Sequence, residues 1–198
     1  MFRYFAALLI IATALCVNGI NHGIQELKSN PVSDTERYAV YSTVLKEAFV
    51  DDSNKLLVIE DKTADDFTAD NDKHWDYLKQ GLAPISQATI DDFKSKNAKT
   101  SSLEDKFTVT IKTKLISKAE VDKFFAPSGG WWEAFYKSYP NSPGLITFSN
   151  VGFNSDGSQA VLYIGHSCGG LCGTGHYVLL TKNNGAWRVE KKVMTWIS

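Results

Sequence analysis

The sequence predicts an α+β fold, with several amino-terminal helices packed on a carboxy-terminal antiparallel sheet that runs as a four-strand meander over residues 145–197. Three observations carry that expectation. Capping boxes, Ser or Thr followed three residues later by an acid, open apolar-periodic runs in the first two thirds of the chain. The last quarter is made of short β-branched and aromatic runs. Tight turn signals, Asn154-Ser155-Asp156-Gly157 and Asn183-Asn184-Gly185, join those runs, and connections so short link antiparallel neighbours.

The first residues, MFRYFAALLIIATALCVNG, set one early cation, Arg3, before an apolar run from Phe5 to Val17. That run is about 13 residues, short of the roughly 20 that span a bilayer, and reads as a signal peptide over residues 1–19, cleaved after Cys16 or Gly19. An acylated Cys16 is disfavoured because Leu15 is bulkier than such a site accepts. Residues 20–33 form a polar lead-in, leaving 34–198 as one domain, secreted or periplasmic. A chain of that size buries about 70% of its unfolded surface, enough for a single core. With 21 Lys and Arg against 22 Asp and Glu, and no basic block, neither a nucleic-acid footprint nor a membrane-surface patch is written here; a small-molecule or protein ligand remains open, and no cofactor is indicated.

The elements follow in order. Ser33-Asp34-Thr35-Glu36 is a capping box, and Tyr38, Tyr41, Leu45, Ala48 and Phe49 follow at helical spacing. KLLVIED, residues 55–61, is a short apolar run between turn residues and reads as a buried strand. The aspartates from Asp61 to Asp76 begin a calcium-loop pattern at Asp70-Asn71-Asp72, but the required Gly and closing Glu are missing, so a solvated loop is expected. Helices are expected at 73–80, ended by Gly81, and at 90–97, capped by Thr89 with Asp92; Asp91 and Asp92 diverge by about 100 degrees on a helix and read as surface charge. FTVTIKTKLI, 107–116, alternates with Phe107, Val109, Ile111 and Leu115 on one face, the pattern of a half-buried strand. Ser117 to Glu120 opens another helix, reaching Phe125. In GWWEAFYKSYP, Trp131, Trp132, Phe135, Tyr136 and Tyr139 could form a sugar platform with Glu133 as acid, but an amphipathic helix plugging the core is the preferred reading.

Chemistry concentrates in HSCGGLCGTGH, His166 to His176. GHSCG matches the G-x-S-x-G elbow of serine hydrolases, yet an elbow needs a helix after Ser167, and here a strand-like HYVLL follows with no acid between Ser167 and His176. His166, Cys168, Cys172 and His176 carry zinc donors at an unfamiliar spacing, and export opposes keeping both thiols reduced. A redox pair wants C-x-x-C at a helix start, whereas this is C-x-x-x-C between strands. A structural disulfide between Cys168 and Cys172 is left. Four residues of straight strand span about 13 Å and a bridge tolerates about 7 Å, so the chain must fold back, with Gly169-Gly170 permitting the reversal. The glycines either meet positive-φ demands of the turn or offer their N–H groups as an anion nest. The candidate ligand loop is therefore His166, Ser167, Gly170, Gly173 and His176, with no catalytic, cofactor or metal residue assigned.

VGFNSDGSQAVLYIGHSCGGLCGTGHYVLLTKNNGAWRVEKKVMTWIS, together with LLVIED, LISKAE and GWWEAFYKSYP, resembles an uncharacterised family of small bacterial secreted or envelope proteins. The resemblance spans Tyr38 to Ser198 and implies export and a single domain; it transfers no activity, cofactor or catalytic residue. The expected function is non-catalytic binding or a structural role, with a hydrolase or metal-dependent enzyme centred on His166–His176 as the alternative.

Overall fold

The computed structural model describes residues 33–51, 53–64 and 72–198. The expected signal peptide, residues 20–32 of the lead-in and residues 65–71 of the aspartate-rich stretch lie outside the described residues, among which no helix is long and apolar enough to cross a membrane.

The α+β expectation holds, with five helices and a mixed seven-stranded sheet among the described residues. Helix α1 is Asp34–Phe49, and Ser33 Oγ accepts from the Glu36 amide at 3.4 Å. The second half of the box does not close. The Glu36 carboxylate instead accepts from Lys182 Nζ at 2.6 Å and Trp187 Nε1 at 2.8 Å, because a charged donor competes better than a helix amide. Helix α2 is Asp72–Gly81 and α3 is Gln87–Lys96. Helix α3 starts a turn earlier than expected: Ser86 caps it, accepting from the Thr89 amide at 3.1 Å, while Thr89 lies inside the helix and donates to Gln159 Oε1 at 2.8 Å. Asp92 is not idle surface charge, since its Oδ2 takes the Phe153 amide at 2.7 Å beside the Lys96 ammonium.

Strand β1 is Leu56–Glu60, with its three central residues buried, and β2 is Lys112–Ile116. The expected strand over 107–116 is regular only in its second half. All five residues of β1 pair with β2, so Phe107–Ile111 has no ladder partner, and the Thr108 amide goes to the Ser42 hydroxyl at 2.8 Å. The apolar alternation was still informative, because Phe107, Val109, Ile111 and Leu115 pack on the core. Helix α4, Lys118–Phe125, is capped by Ser117; Glu120 accepts from the Tyr139 hydroxyl rather than from the cap amide. Helix α5 is Trp131–Ser138.

The remaining strands are β3 Leu145–Phe148, β4 Gly152–Phe153, β5 Gln159–Gly169, β6 Cys172–Asn183 and β7 Ala186–Ile197. Spatial order is β2-β1-β3-β5-β6-β7, with β4 beside β5. The meander β3-β5-β6-β7 is antiparallel as expected, but β1 and β2 extend the sheet by parallel pairing. Helical crossovers explain this: α2 and α3 separate β1 from β2, and α4 and α5 separate β2 from β3, so the chain re-enters the sheet in the same direction each time.

Alternate residues face opposite sides of the sheet. One side, with Leu57, Ile59, Ile146, Phe148, Leu162 and Ile164, packs on α1. The other packs on α2 and α3 through Val161, Tyr177, Leu179 and Val193, and on α4 and α5 through Val58, Ile116 and Leu145.

Candidate functional site

Strands β5 and β6 run nearly to the end of the glycine-rich segment, so the expected loop is the tip of a long hairpin. Gly165 pairs with Gly175, His166 with Thr174, Ser167 with Gly173 and Gly169 with Cys172, leaving Gly170 and Leu171 as the turn. The ladder shifts register between Ser167 and Gly169, which makes Cys168 the bulged residue. Cys168 and Cys172 stand at disulfide distance, 5.0 Å between their Cα atoms, so the fold-back required by the sequence takes place, one residue later than Gly169-Gly170. The Tyr136 hydroxyl donates to the Cys168 carbonyl at 2.9 Å and fastens the bulge to α5.

Neither reading of the glycines survives. Gly165, Gly169, Gly170, Gly173 and Gly175 all have ordinary negative or extended φ, and a nest needs alternating handedness. Close approach is the reason at Gly175, where a Cβ would sit 2.0 Å from Trp196 Nε1 and 2.5 Å from the Tyr163 hydroxyl. The Trp196 indole lies across this glycine and donates to Tyr163 Oη at 2.6 Å. Gly173 likewise lies under Trp196 and beside Ser198, whereas Gly170 faces open space.

The strand period divides the candidate residues between two sides of the sheet. His166 and His176 share a side with Ile164 and α1, while Ser167 pairs across β3 with Leu145, which belongs to the opposite side. A nucleophile and its base must meet within hydrogen-bond reach, so Ser167 has neither histidine as a base. Among the described residues, no group of three His, Cys, Asp or Glu side chains could hold a metal ion.

Each side of the hairpin has its own cavity. On the histidine side, His166, Thr174, His176 and Lys192 with Phe49 and Ile164 line about 240 Å³. The His166 ring lies edge-on to Phe49, 5.0 Å between centroids, and its Nε2 is 2.9 Å from the Pro143 carbonyl. Burial, and secondarily the Lys192 ammonium, hold the His176 imidazole below its usual range. On the other side, Val121 and Phe125 of α4, Trp132 of α5, Leu145, Ser167 and Cys172 line a cleft of about 310 Å³. Two neighbours of its lining residues are exposed and apolar: Leu171, which precedes Cys172 in the turn, is 92% accessible, and Trp131, whose ring centroid lies 6.2 Å from that of Phe125, is 58%. Of the aromatic segment, Phe135 and Tyr139 plug the core as expected, Trp132 walls the cleft and Glu133 is exposed.

Sequence reasoning missed Phe125, Leu145 and Lys192 as lining residues, because they arrive from three separate elements, and it raised Trp132 only as part of a sugar platform before preferring the core. One signal was present. Trp131 and Trp132 are adjacent in a helix and cannot both face one core. In comparisons with known proteins, no family model, no curated protein and no solved structure matches the chain.

Proposed function

We propose that this chain is an exported binding module that holds an aromatic or apolar group of its ligand in the cleft beside Cys172, with Cys168 and Cys172 joined as a disulfide that shapes the tip. One observation carries this reading: a cleft of about 310 Å³ walled by Phe125, Trp132, Val121 and Leu145 opens at the hairpin tip beside two exposed apolar residues, Trp131 and Leu171. Aromatic walls give a large contact area at low entropic cost, and the paired strands behind Cys172 provide a rigid backing. Export rests on the leader from Phe5 to Val17 and on an even cysteine pair, and it agrees with the resemblance to small bacterial secreted or envelope proteins. The separation of Ser167 from both histidines by the sheet supports binding over hydrolysis.

The test is a titration of the ¹⁵N-labelled protein with N-acetyltryptophanamide, read on the indole N–H signals. The Trp131 and Trp132 signals are expected to move together, while Trp75 and Trp187, buried elsewhere, stay fixed. Unmoved cleft indoles would remove the binding site, and covalent labelling of Ser167 by a fluorophosphonate would restore the hydrolase reading.

A further inference from the structure

The histidine-side cavity is a separate compartment from the aromatic cleft, with a composition of its own. Its inner wall is hydrocarbon, from Phe49 and Ile164, while His166, Thr174, His176 and Lys192 bring polar groups to it. His166 and His176 are diagonal neighbours across β5 and β6, since His176 pairs with Ile164 and Thr174 with His166. A carbonyl can only accept, so the His166 nitrogen facing Pro143 carries the proton; Nδ1 is then the acceptor of the neutral ring and a second donor once the ring is charged. Among the described residues, every polar group lining the cavity can donate a hydrogen bond in its protonated form, and none of them is an acid. The Glu47 carboxylate of α1 is paired with Lys192 Nζ at 2.7 Å.

Donors at one wall and hydrocarbon at the other are complementary to an anion with an apolar body. We propose that this cavity binds a small monocarboxylate of the size of benzoate or hexanoate, its carboxylate hydrogen-bonded by the charged His176 ring and the Thr174 hydroxyl and its hydrocarbon against Phe49 and Ile164. The groups facing His176 are Lys192 from β7, His166 from β5 and, through Lys192, Glu47 from α1. Burial first, and then the Lys192 ammonium, disfavours the charged His176 ring. A bound carboxylate favours it, so binding takes up a proton and tightens as pH falls through the usual histidine range. Two imidazoles could instead ligate a transition metal, but the Lys192 ammonium beside them opposes a cation.

Isothermal titration calorimetry with benzoate and with benzyl alcohol, at pH 5.5, 6.5 and 8.0 in buffers of differing ionisation enthalpy, tests the proposal. Benzoate is expected to bind about tenfold tighter at pH 5.5 than at 8.0, with net proton uptake, whereas benzyl alcohol binds weakly and without pH dependence. Following the His176 ring signals by NMR guards against a variant that fails to fold: benzoate must raise that residue's apparent pKa, and His176→Gln must abolish the pH dependence. Benzoate binding that is absent at millimolar concentration, independent of pH or matched by benzyl alcohol overturns the proposal, as does Zn²⁺ binding at pH 8.0 that displaces benzoate.

Discussion

The two ends of the meander solve opposite problems. At the end near Asn150 and Gln159, helices α1 and α3 are tied to the sheet by buried or half-buried polar side chains. Asn150 donates through Nδ2 to the Lys96 and Lys99 carbonyls at 3.0 and 3.1 Å, and its amide donates to Asn97 Oδ1 at 2.7 Å. Gln159 accepts from the Ser86 amide at 2.7 Å and donates to the Pro84 carbonyl at 3.0 Å, while Glu36 closes α1 onto Lys182 and Trp187. The end near Leu171 has a turn in open space, glycines lying flat under Trp196, and a cavity on each side of the sheet. The contrast teaches that polar groups placed between elements serve as fasteners at the closed end. At the open end, backbone pairing and the cysteine pair maintain the shape, and side chains are left exposed or lining cavities.

Several substitutions sharpen that contrast, and the largest effect belongs to the closed end. Asn150→Ala takes the amide donor away from the part-buried Lys96 and Lys99 carbonyls and the buried Thr63 hydroxyl and should cost about 2–4 kcal/mol, read as a lowered urea midpoint at unchanged slope. Gly152→Ala comes next. Its Cβ would meet the Phe93 backbone N and Cα at 2.6 Å, atoms that a helix cannot move aside, for about 1–3 kcal/mol. Gly175→Ala at the open end meets only the Trp196 and Tyr163 side chains, so it should cost less than Gly152→Ala and be visible as a change in Trp196 fluorescence. The opposite ranking breaks the comparison. Replacing Cys168 and Cys172 by Ser, or adding reductant, should cost about 2 kcal/mol by the loop-entropy account and leave the midpoint cooperative.

The smallest effect is set by pH. Lys182, and then the Trp187 indole, hold the Glu36 carboxyl below its usual range. Its folded pKa being depressed, the contribution is complete above the unfolded value near 4.5 and is lost as pH falls through the folded one. Thermal melts at pH 3 and pH 7 should therefore differ less in Glu36→Gln than in the natural chain.

How much of this was legible follows from which forces are local. Caps, apolar periods and turns act over a few residues, so α1, α4, β1 and the antiparallel meander could be read directly. The start of α3 was misplaced because Ser86 and Thr89 are both competent caps, and Gln159, distant in sequence, engages the Thr89 hydroxyl within the helix. Phe107–Ile111 alternates like a strand but has no ladder partner among the described residues, because strand formation needs a partner and β1 ends after five residues. At the candidate site the cysteine fold-back was readable from chain geometry. The division of His166 and His176 from Ser167 depended on the segment being strand rather than loop, and the glycines had pointed to loop.

The most direct test of the central claim, that the open end is a binding surface supported by an independently stable fold, pairs affinity with stability in one variant. Leu171→Ser combined with Trp131→Ser alters only exposed side chains. N-acetyltryptophanamide affinity should fall at least about fivefold while the urea midpoint stays within about 0.5 kcal/mol of the natural chain. Undiminished affinity, or a loss of stability that matches the loss of binding, would contradict the account.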